Sequence, residues 1–310
     1  MTFKAKNGRD DLVAICLGFA MKIAVTCVSL LLLSSSLFAQ KGNYPPVIEG
    51  AEEMVYKNAS DTDLKLWMFK PEGWQPGGNH PAIVFFFGGG WSSGSPTQFV
   101  PQSEYLAKRG MIAFVADYRV KSRQGVQAKD CVQDARDAIA YVRTNAVELG
   151  VDPNRIASGG GSAGGHLAAC VGVLNFDAGS KANAMALFNP AVILAPIKGM
   201  KWDGRDHSAG LKERIGVDPI ELSPYHHITN DAPPCVIFHG TEDSTVPFKT
   251  VELFTDRMGE VGVDCTLNGY EGEGHGFFNA SRKGSRGKEP AFPKTLKQLD
   301  TFFVELGWLE

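Results

Sequence analysis

The chain has 310 residues, of which 44% are hydrophobic and 21% are charged, and its formal net charge is −3. This apolar content excludes a disordered chain, and the mildly acidic balance without long basic runs argues against a protein that binds nucleic acid. The six cysteines are too few for a disulfide scaffold at this length, and no Cys-x-x-Cys pair suggests a metal ribbon. A globular enzyme of one or two domains is the class that fits.

The N-terminal region carries a candidate export signal. Residues 23–38 are uncharged and mostly apolar, Lys22 precedes them, and a small residue, Ala39, follows them. A basic start, an apolar stretch and a small-residue exit are typical of a secretory signal peptide. A retained membrane anchor is the alternative, but about 16 apolar residues fall short of the ~20 that span a bilayer.

We therefore predict a signal peptide over residues 1–39, with translation starting at the first methionine or at Met21, and a catalytic domain over residues 40–310. The mature protein is then secreted or periplasmic, with no stable membrane partner. Export permits disulfides, whereas cysteines in apolar segments are commonly buried thiols. Both alternatives stay open for the four cysteines of the mature chain, which are Cys131, Cys170, Cys235 and Cys265.

The mature chain alternates strand and helix patterns. Alternating hydrophobicity at 54–56 and 64–69 predicts an antiparallel pair, and continuous apolar runs at 82–87 and 111–116 predict strands buried on both faces. Further strands are predicted at 155–157, 185–188, 235–238 and 263–267, and helices at 101–109, 130–149, 163–173, 248–260 and 292–305. Strands that alternate with helices imply one α/β domain, whose mostly parallel sheet is covered by helices on both faces.

A glycine-rich turn lies between a predicted strand and a predicted helix. Its sequence, Gly160-Gly161-Ser162-Ala163-Gly164, matches the G-x-S-x-G pattern of a nucleophilic serine on a sharp strand-to-helix turn. Side chains two residues to either side of the serine would clash in such a turn, so Gly160 and Gly164 keep it open. Ser162 is the predicted nucleophile, and a purely structural glycine turn is the alternative.

Three more glycines follow the strand predicted at 82–87, in the run Phe87-Gly88-Gly89-Gly90-Trp91. Because glycines have no Cβ atom, their backbone N–H groups can point into a site and hold the oxyanion that forms when an ester carbonyl is attacked. Trp91 is either a packing aromatic or a platform for substrate, and both interpretations stay open.

A serine hydroxyl needs a base, and the base needs an orienting carboxylate. Asp243 lies in a loop just after the strand predicted at 235–238, and His275 lies in a glycine-flanked loop after the last predicted strand. Nucleophile, acid and histidine thus follow one another in the chain order of a known class of hydrolases. Glu242, next to Asp243, is the competing acid.

Together these motifs resemble the α/β-hydrolase superfamily, and within it the esterases akin to hormone-sensitive lipase and to acetylxylan/feruloyl esterases. The resemblance covers about residues 50–308. It implies the α/β-hydrolase fold, with an eight-stranded, mostly parallel sheet and a small cap or none. It also implies a catalytic triad of Ser162, Asp243 and His275, and an oxyanion hole built from the backbone amides of Gly89, Gly90 and Ala163.

Two positions depart from the pattern of that family. Phe87 stands where the family usually has a histidine before the three glycines, and this histidine braces the loop rather than reacting. Gly161 stands where many relatives have an acidic or bulkier residue. Neither change removes a reacting group, but the first leaves the geometry of the glycine loop open.

The other polar candidates have structural interpretations. His166, on the helix after the serine, is expected to pack and form local hydrogen bonds. His226 and His227 are adjacent, which is poor spacing for metal ligands, so we predict no metal and no cofactor. Asp134 and Asp137 fit a solvated or salt-bridged helix face, with Arg136 and Arg143 nearby.

The sequence therefore predicts a serine hydrolase that cleaves carboxylic esters of small soluble substrates, with acylated carbohydrates and polysaccharides among the candidates. An exported serine peptidase of the same fold is the first alternative. A catalytically inactive α/β-hydrolase that serves as a binding module is the second.

Overall fold

The computed structural model describes residues 44–59, 61–199, 208–282 and 290–310. The predicted signal peptide lies outside these described residues and stays a prediction. Residues Val47–Glu310 form the compact unit to which the following description applies. Among the described helices, none has both the length and the apolarity needed to cross a membrane.

Eight strands of the described chain form one sheet. In chain order they are β1 (Glu52–Ala59), β2 (Thr62–Phe69), β3 (His80–Phe86), β4 (Ile112–Ala116), β5 (Val151–Gly161), β6 (Ala184–Phe188), β7 (Cys235–Gly240) and β8 (Cys265–Tyr270). Their order in the sheet is β1-β2-β4-β3-β5-β6-β7-β8. β2 pairs antiparallel with both β1 and β4, and every other pairing is parallel. The predicted mostly parallel, eight-stranded sheet is confirmed.

Helices connect the strands. In chain order they are α1 (Val100–Lys108), α2 (Lys121–Gln124), α3 (Ala128–Thr144), α4 (Ala146–Leu149), α5 (Ala163–Val173), α6 (Ser208–Ile215), α7 (Phe248–Glu260) and α8 (Phe292–Glu305). Short 3-10 turns lie at Pro96–Phe99, Ala178–Ser180, Pro219–Leu222 and Pro224–His227. The predicted bounds of α5, α7 and α8 are confirmed.

Several predicted bounds differ from the structure, such as those of β8, which was predicted at 263–267 and spans Cys265–Tyr270. Two of the differences have a local cause. The helix predicted over 130–149 is interrupted at Asn145, whose side-chain amide donates to the carbonyl of Tyr141 (2.8 Å) and so ends α3. The strand predicted at 155–157 continues to Gly161, because the glycine run pairs with β3 and β6 instead of leaving the sheet.

The central strands are buried on both faces, which explains their continuous apolar runs. In β3, Val84 and Phe86 pack into the hydrophobic cluster on one face of the sheet, and Ile83 and Phe85 pack into the cluster on the other. The four cysteines described are free thiols, of which only Cys265 is partly exposed.

A buried ion cluster ties α3 to the sheet. Asp134 on α3 is fully buried, and its carboxylate accepts two hydrogen bonds of 2.8 Å from the guanidinium of Arg119, just after β4. Lys57 of β1 lies 2.6 Å from Asp134 and 2.6 Å from Asp137. Of the two predicted alternatives, a solvated or a salt-bridged helix face, the salt-bridged one is found for Asp134. Its partners lie on β1 and just after β4, and are not the arginines of its own helix.

We predict that Asp134→Ala lowers the free energy of unfolding by about 3 kcal/mol, because it leaves the guanidinium of Arg119 partly buried without a carboxylate and removes one of the two carboxylates that contact Lys57. Asp137→Ala is the matched control. Its side chain is 33% exposed and contacts the same lysine, so a loss below ~1 kcal/mol is expected. Urea denaturation of both variants measures the difference, and equal losses would contradict the assignment.

Candidate active site

Ser162 occupies a strained turn between β5 and α5. Its backbone has φ 55° and ψ −117°, a conformation that costs energy for any residue other than glycine and that is typical of functional sites. A Cβ atom at Gly160 would lie 2.5 Å from the backbone of Gly164, and one at Gly164 would lie 2.0 Å from the carbonyl oxygen of Phe86. The turn therefore requires glycine at both positions, as the sequence pattern predicts.

Glycine is also required by sterics at the position immediately before the serine. A Cβ atom at Gly161 would lie 2.4 Å from the ring of Phe278, a fully buried side chain that packs against Phe99 and Phe188. The aromatic ring thus fills the space that a larger residue before the serine would need.

Asp243 is surrounded by donors. Its Oδ2 lies 2.7 Å from Nδ1 of His275, 2.7 Å from the side-chain nitrogen of Asn189 and 3.3 Å from Nε2 of His239. Its Oδ1 accepts from the backbone N–H groups of Thr245 (2.8 Å) and Val246 (2.9 Å). The carboxylate is therefore held in one orientation by contacts on both oxygens.

These contacts keep Asp243 ionised. Burial raises the pKa of this carboxyl, but hydrogen bonds from His239, His275 and the Val246 amide outweigh burial, so the pKa lies well below its usual range. An ionised carboxylate accepts the Nδ1–H of His275, which leaves Nε2 of the imidazole free to act as a base. His275 and Ser162 line the same cavity.

Asn189 is a site residue that the sequence analysis missed. It follows β6 directly, has a positive φ of 43°, and is fully buried. Its position in the sequence could have indicated a role in the site, because a polar residue at the carboxyl end of a parallel strand lies at the edge of the sheet where sites form. Nothing in its local sequence indicated the contact with Asp243.

The glycine loop after β3 is held by side chains on both sides. The N–H of Gly88 donates to Oε1 of Gln98 (2.7 Å), and Nε2 of Gln98 donates to Oδ1 of Asn279 (2.9 Å). Asn279 in turn donates to the carbonyl of Gly276, next to His275. This chain of hydrogen bonds connects the glycine loop with the histidine loop, and neither amide side chain was predicted from the sequence.

Phe87 has partners that replace a histidine brace. Its ring stacks on Tyr118, with centroids 4.1 Å apart, and its carbonyl accepts a 2.6 Å hydrogen bond from the Tyr118 hydroxyl. Gly89, Gly90 and Ala163 line the cavity, and within the described residues their backbone N–H groups donate to no other backbone group. These three donors are thus available to a ligand.

His166 is structural. It is fully buried, accepts a 3.2 Å hydrogen bond from the indole N–H of Trp91, and donates from Nε2 to the carbonyl of Leu222 (2.7 Å). Burial lowers the pKa of His166 to about 4, despite the bond to Leu222, so the ring is neutral near pH 7. Trp91 is only 5% exposed and acts mainly as a packing residue at the cavity wall.

The adjacent histidines bind local groups. Nδ1 of His226 lies 2.8 Å from the hydroxyl of Ser223, and Nε2 of His227 lies 2.9 Å from the carbonyl of Ile220. In the part of the chain that the structure describes, no cluster of three or more histidine, cysteine or acidic side chains is arranged to hold a metal ion.

The cavity above Ser162 has a volume of about 990 Å³. Its floor is formed by the glycine loop and the nucleophile turn, and one wall comes from α6 and the 3-10 turn after it. Most of its lining is apolar. The polar lining residues are Gln98, Ser162, Lys212, Arg214, Asp218, Thr245, Thr250, His275 and Asn279.

The sheet order, the strained serine and the carboxylate-bound imidazole are those of the α/β-hydrolase fold in its serine-hydrolase form. The BD-FAE family model matches residues 69–192. The chain is 30% identical over 236 residues to the esterase LipC of Mycobacterium tuberculosis, covering 69% of this chain and 56% of that protein. It spans about half the length of the curated relatives it matches.

Solved structures match over nearly their full length. Thermogutta terrifontis esterase 2, phosphonylated by sarin, is 51% identical, with a TM-score of 0.80 over 86% of this chain and 99% of that chain. A butyrate-bound structure of the Thermogutta terrifontis esterase Est2 is also 51% identical, with a TM-score of 0.79 over 86% of this chain and 98% of that chain. The chain belongs to the esterase/lipase family of α/β-hydrolases.

The acid can be tested against its neighbour. We predict that Asp243→Asn lowers kcat about 10⁴-fold, because an amide there favours the wrong imidazole tautomer. Glu242→Gln is the matched control, since Glu242 is exposed, and it should change kcat less than about threefold. Ester turnover measures both variants, with circular dichroism to check the fold. A large loss of kcat in the Glu242 variant alone would show that Glu242, and not Asp243, is the residue that orients His275.

Proposed function

We propose that the protein is a serine esterase that hydrolyses carboxylic esters of small soluble substrates. One observation carries the proposal. Nδ1 of His275 lies 2.7 Å from Oδ2 of Asp243, and the same histidine lines one cavity with the strained Ser162. Serine, histidine and aspartate in this relation form an acyl-transfer site.

The proposed reaction has two halves. His275 takes the proton of the Ser162 hydroxyl while Oγ attacks the ester carbonyl, and the negative oxygen of the tetrahedral intermediate is held by backbone N–H groups. The intermediate collapses, the bond to the alcohol breaks, and His275 gives its proton to the leaving alcohol. Water then repeats these steps on the acyl-enzyme and releases the acid. The proposed oxyanion donors are the amides of Gly89, Gly90 and Ala163.

The substrates proposed carry short acyl groups. The 51% identical Thermogutta terrifontis esterase has structures with butyrate and with propionate bound. The mostly apolar cavity of this chain, with Ile193, Leu211 and Phe278 in its wall, accommodates such groups. Acylated carbohydrates are the candidate natural substrates, because the sequence resembles acetylxylan and feruloyl esterases.

The nucleophile is tested by substitution and by labelling. We predict that Ser162→Ala lowers turnover of p-nitrophenyl butyrate by about 10⁶-fold, because triad members act as a unit. Paraoxon, which phosphorylates the Thermogutta terrifontis esterase, should add one diethyl phosphoryl group to the wild type and none to the variant. A variant that keeps a tenth of the activity would overturn the assignment.

The substrate class is tested with a panel of esters and amides on the wild-type enzyme. p-Nitrophenyl esters of rising chain length, acetylated xylo-oligosaccharides, feruloyl esters and peptide p-nitroanilides are compared by kcat/KM. The proposal expects the short esters to be cleaved fastest. Faster cleavage of the peptide anilides would identify a peptidase, and no turnover of any substrate would favour an inactive binding module.

We also propose that the protein is exported, on the basis of the uncharged run at 23–38 after Lys22. Mass spectrometry of protein from the medium or periplasm of its native cell should give an N-terminus near Gln40. A chain that still carries Lys22 and fractionates with membranes would contradict cleavage and would favour an anchor.

A further inference from the structure

We propose that the cavity contains an anion-binding subsite, formed by Arg214 with support from Lys212, which selects esters that carry a carboxylate group. This inference rests on the proposed esterase function and specifies its substrate class. The subsite lies on α6, in the wall of the cavity that contains Ser162 and His275.

The guanidinium of Arg214 lies against the glycine loop. Its Nη2 is 3.3 Å from the place that a Cβ atom at Gly90 would occupy, and its central carbon is 5.2 Å from the centre of the Trp91 ring. The aromatic face attracts the cation. Arg214 thus holds a positive charge beside one of the proposed oxyanion donors.

This charge has no carboxylate partner in the described part of the chain. Arg214 and Lys212 form no ion pair there within 4.0 Å. Among the described lining residues the one carboxylate is Asp218, and its Oδ1 accepts the backbone N–H of Ile220 at 3.2 Å. The described lining of the cavity therefore has two cations, Lys212 and Arg214, and one carboxylate, which already caps a turn.

The positive charge is local to this cavity rather than a property of the whole molecule. The chain as a whole has a net charge of −3. A planar guanidinium binds a carboxylate through two parallel N–H donors, which gives direction as well as attraction. A substrate carboxylate is thus the ligand chemistry that complements this wall.

Two pairs of esters test the effect of substrate charge at nearly constant size. They also show whether the enzyme prefers the carboxylate on the acyl side or on the alcohol side of the ester. Ethyl hydrogen succinate and ethyl 4-methylpentanoate differ in charge on the acyl side, whereas 4-carboxyphenyl butyrate and 4-nitrophenyl butyrate differ in charge on the alcohol side. For each enzyme the result is the ratio of kcat/KM for the anionic ester to kcat/KM for the neutral ester. Because the ratio is compared between enzymes, intrinsic ester reactivity and any effect of the cation on the oxyanion cancel.

The variants are Arg214→Gln, Arg214→Lys and Lys249→Met. We expect Arg214→Gln to lower the ratio about five- to tenfold for at least one pair, and Arg214→Lys to retain most of it. Lys249 lies on α7 outside the cavity, with its side chain 66% exposed, so its variant should keep the wild-type ratio. Since Arg214 is exposed, added salt should weaken the preference of the wild type.

Binding provides a readout that does not need turnover. The single variant Ser162→Ala and the double variant Ser162→Ala/Arg214→Gln are titrated with the same anionic esters by calorimetry. We expect the Kd of the double variant to be about five- to tenfold higher, because it lacks the Arg214 cation. Equal ratios and equal Kd values with and without Arg214 would overturn the subsite. Wild-type protein that cleaves none of the four esters would instead overturn the proposed function, while the Kd values would still decide the subsite.

Discussion

The structure depends on one close approach of two backbone segments. The first turn of α5 lies so near the end of β3 that a Cβ atom at Gly164 would be 2.0 Å from the carbonyl oxygen of Phe86. Only glycine permits this distance, and the distance sets the angle at which the chain turns from sheet to helix. Because that turn carries Ser162, the position of the proposed nucleophile is a consequence of backbone packing rather than of side-chain contacts.

The other parts of the site are arranged around this fixed point by hydrogen bonds that come from separate strands. Asp243 follows β7, but its oxygens are bound by Asn189 after β6 and by His275 after β8. Parallel strands bring these ends to one edge of the sheet. The carboxylate therefore has an orientation that no single loop defines. Burial raises its pKa, but hydrogen bonds from His239, His275 and the Val246 amide lower the pKa further than burial raises it.

The sequence predicted the parts of the fold and site that local pattern determines. The glycine spacing around Ser162 and the apolar run of β3 are signals within a few residues, and the ends of α7 and α8 were also predicted. Partners that meet only after folding were predicted where a family motif marks both of them, as for Asp243 and His275, and were missed where no motif does. Asp134 was assigned to a helix face because the periodicity of a helix does not show that Lys57 of β1 packs against it. The local sequence around Gln98 likewise does not indicate its hydrogen bond to the glycine loop.

The hydrogen bond between Gln98 and Asn279 joins residues 181 positions apart. It connects the loop that follows β3 with the loop that follows β8, the last strand formed during synthesis. In the proposed mechanism, a chain synthesised only as far as the serine turn therefore lacks both the base and the brace of the glycine loop. It has no working nucleophile until the loop after β8 has been synthesised and folded.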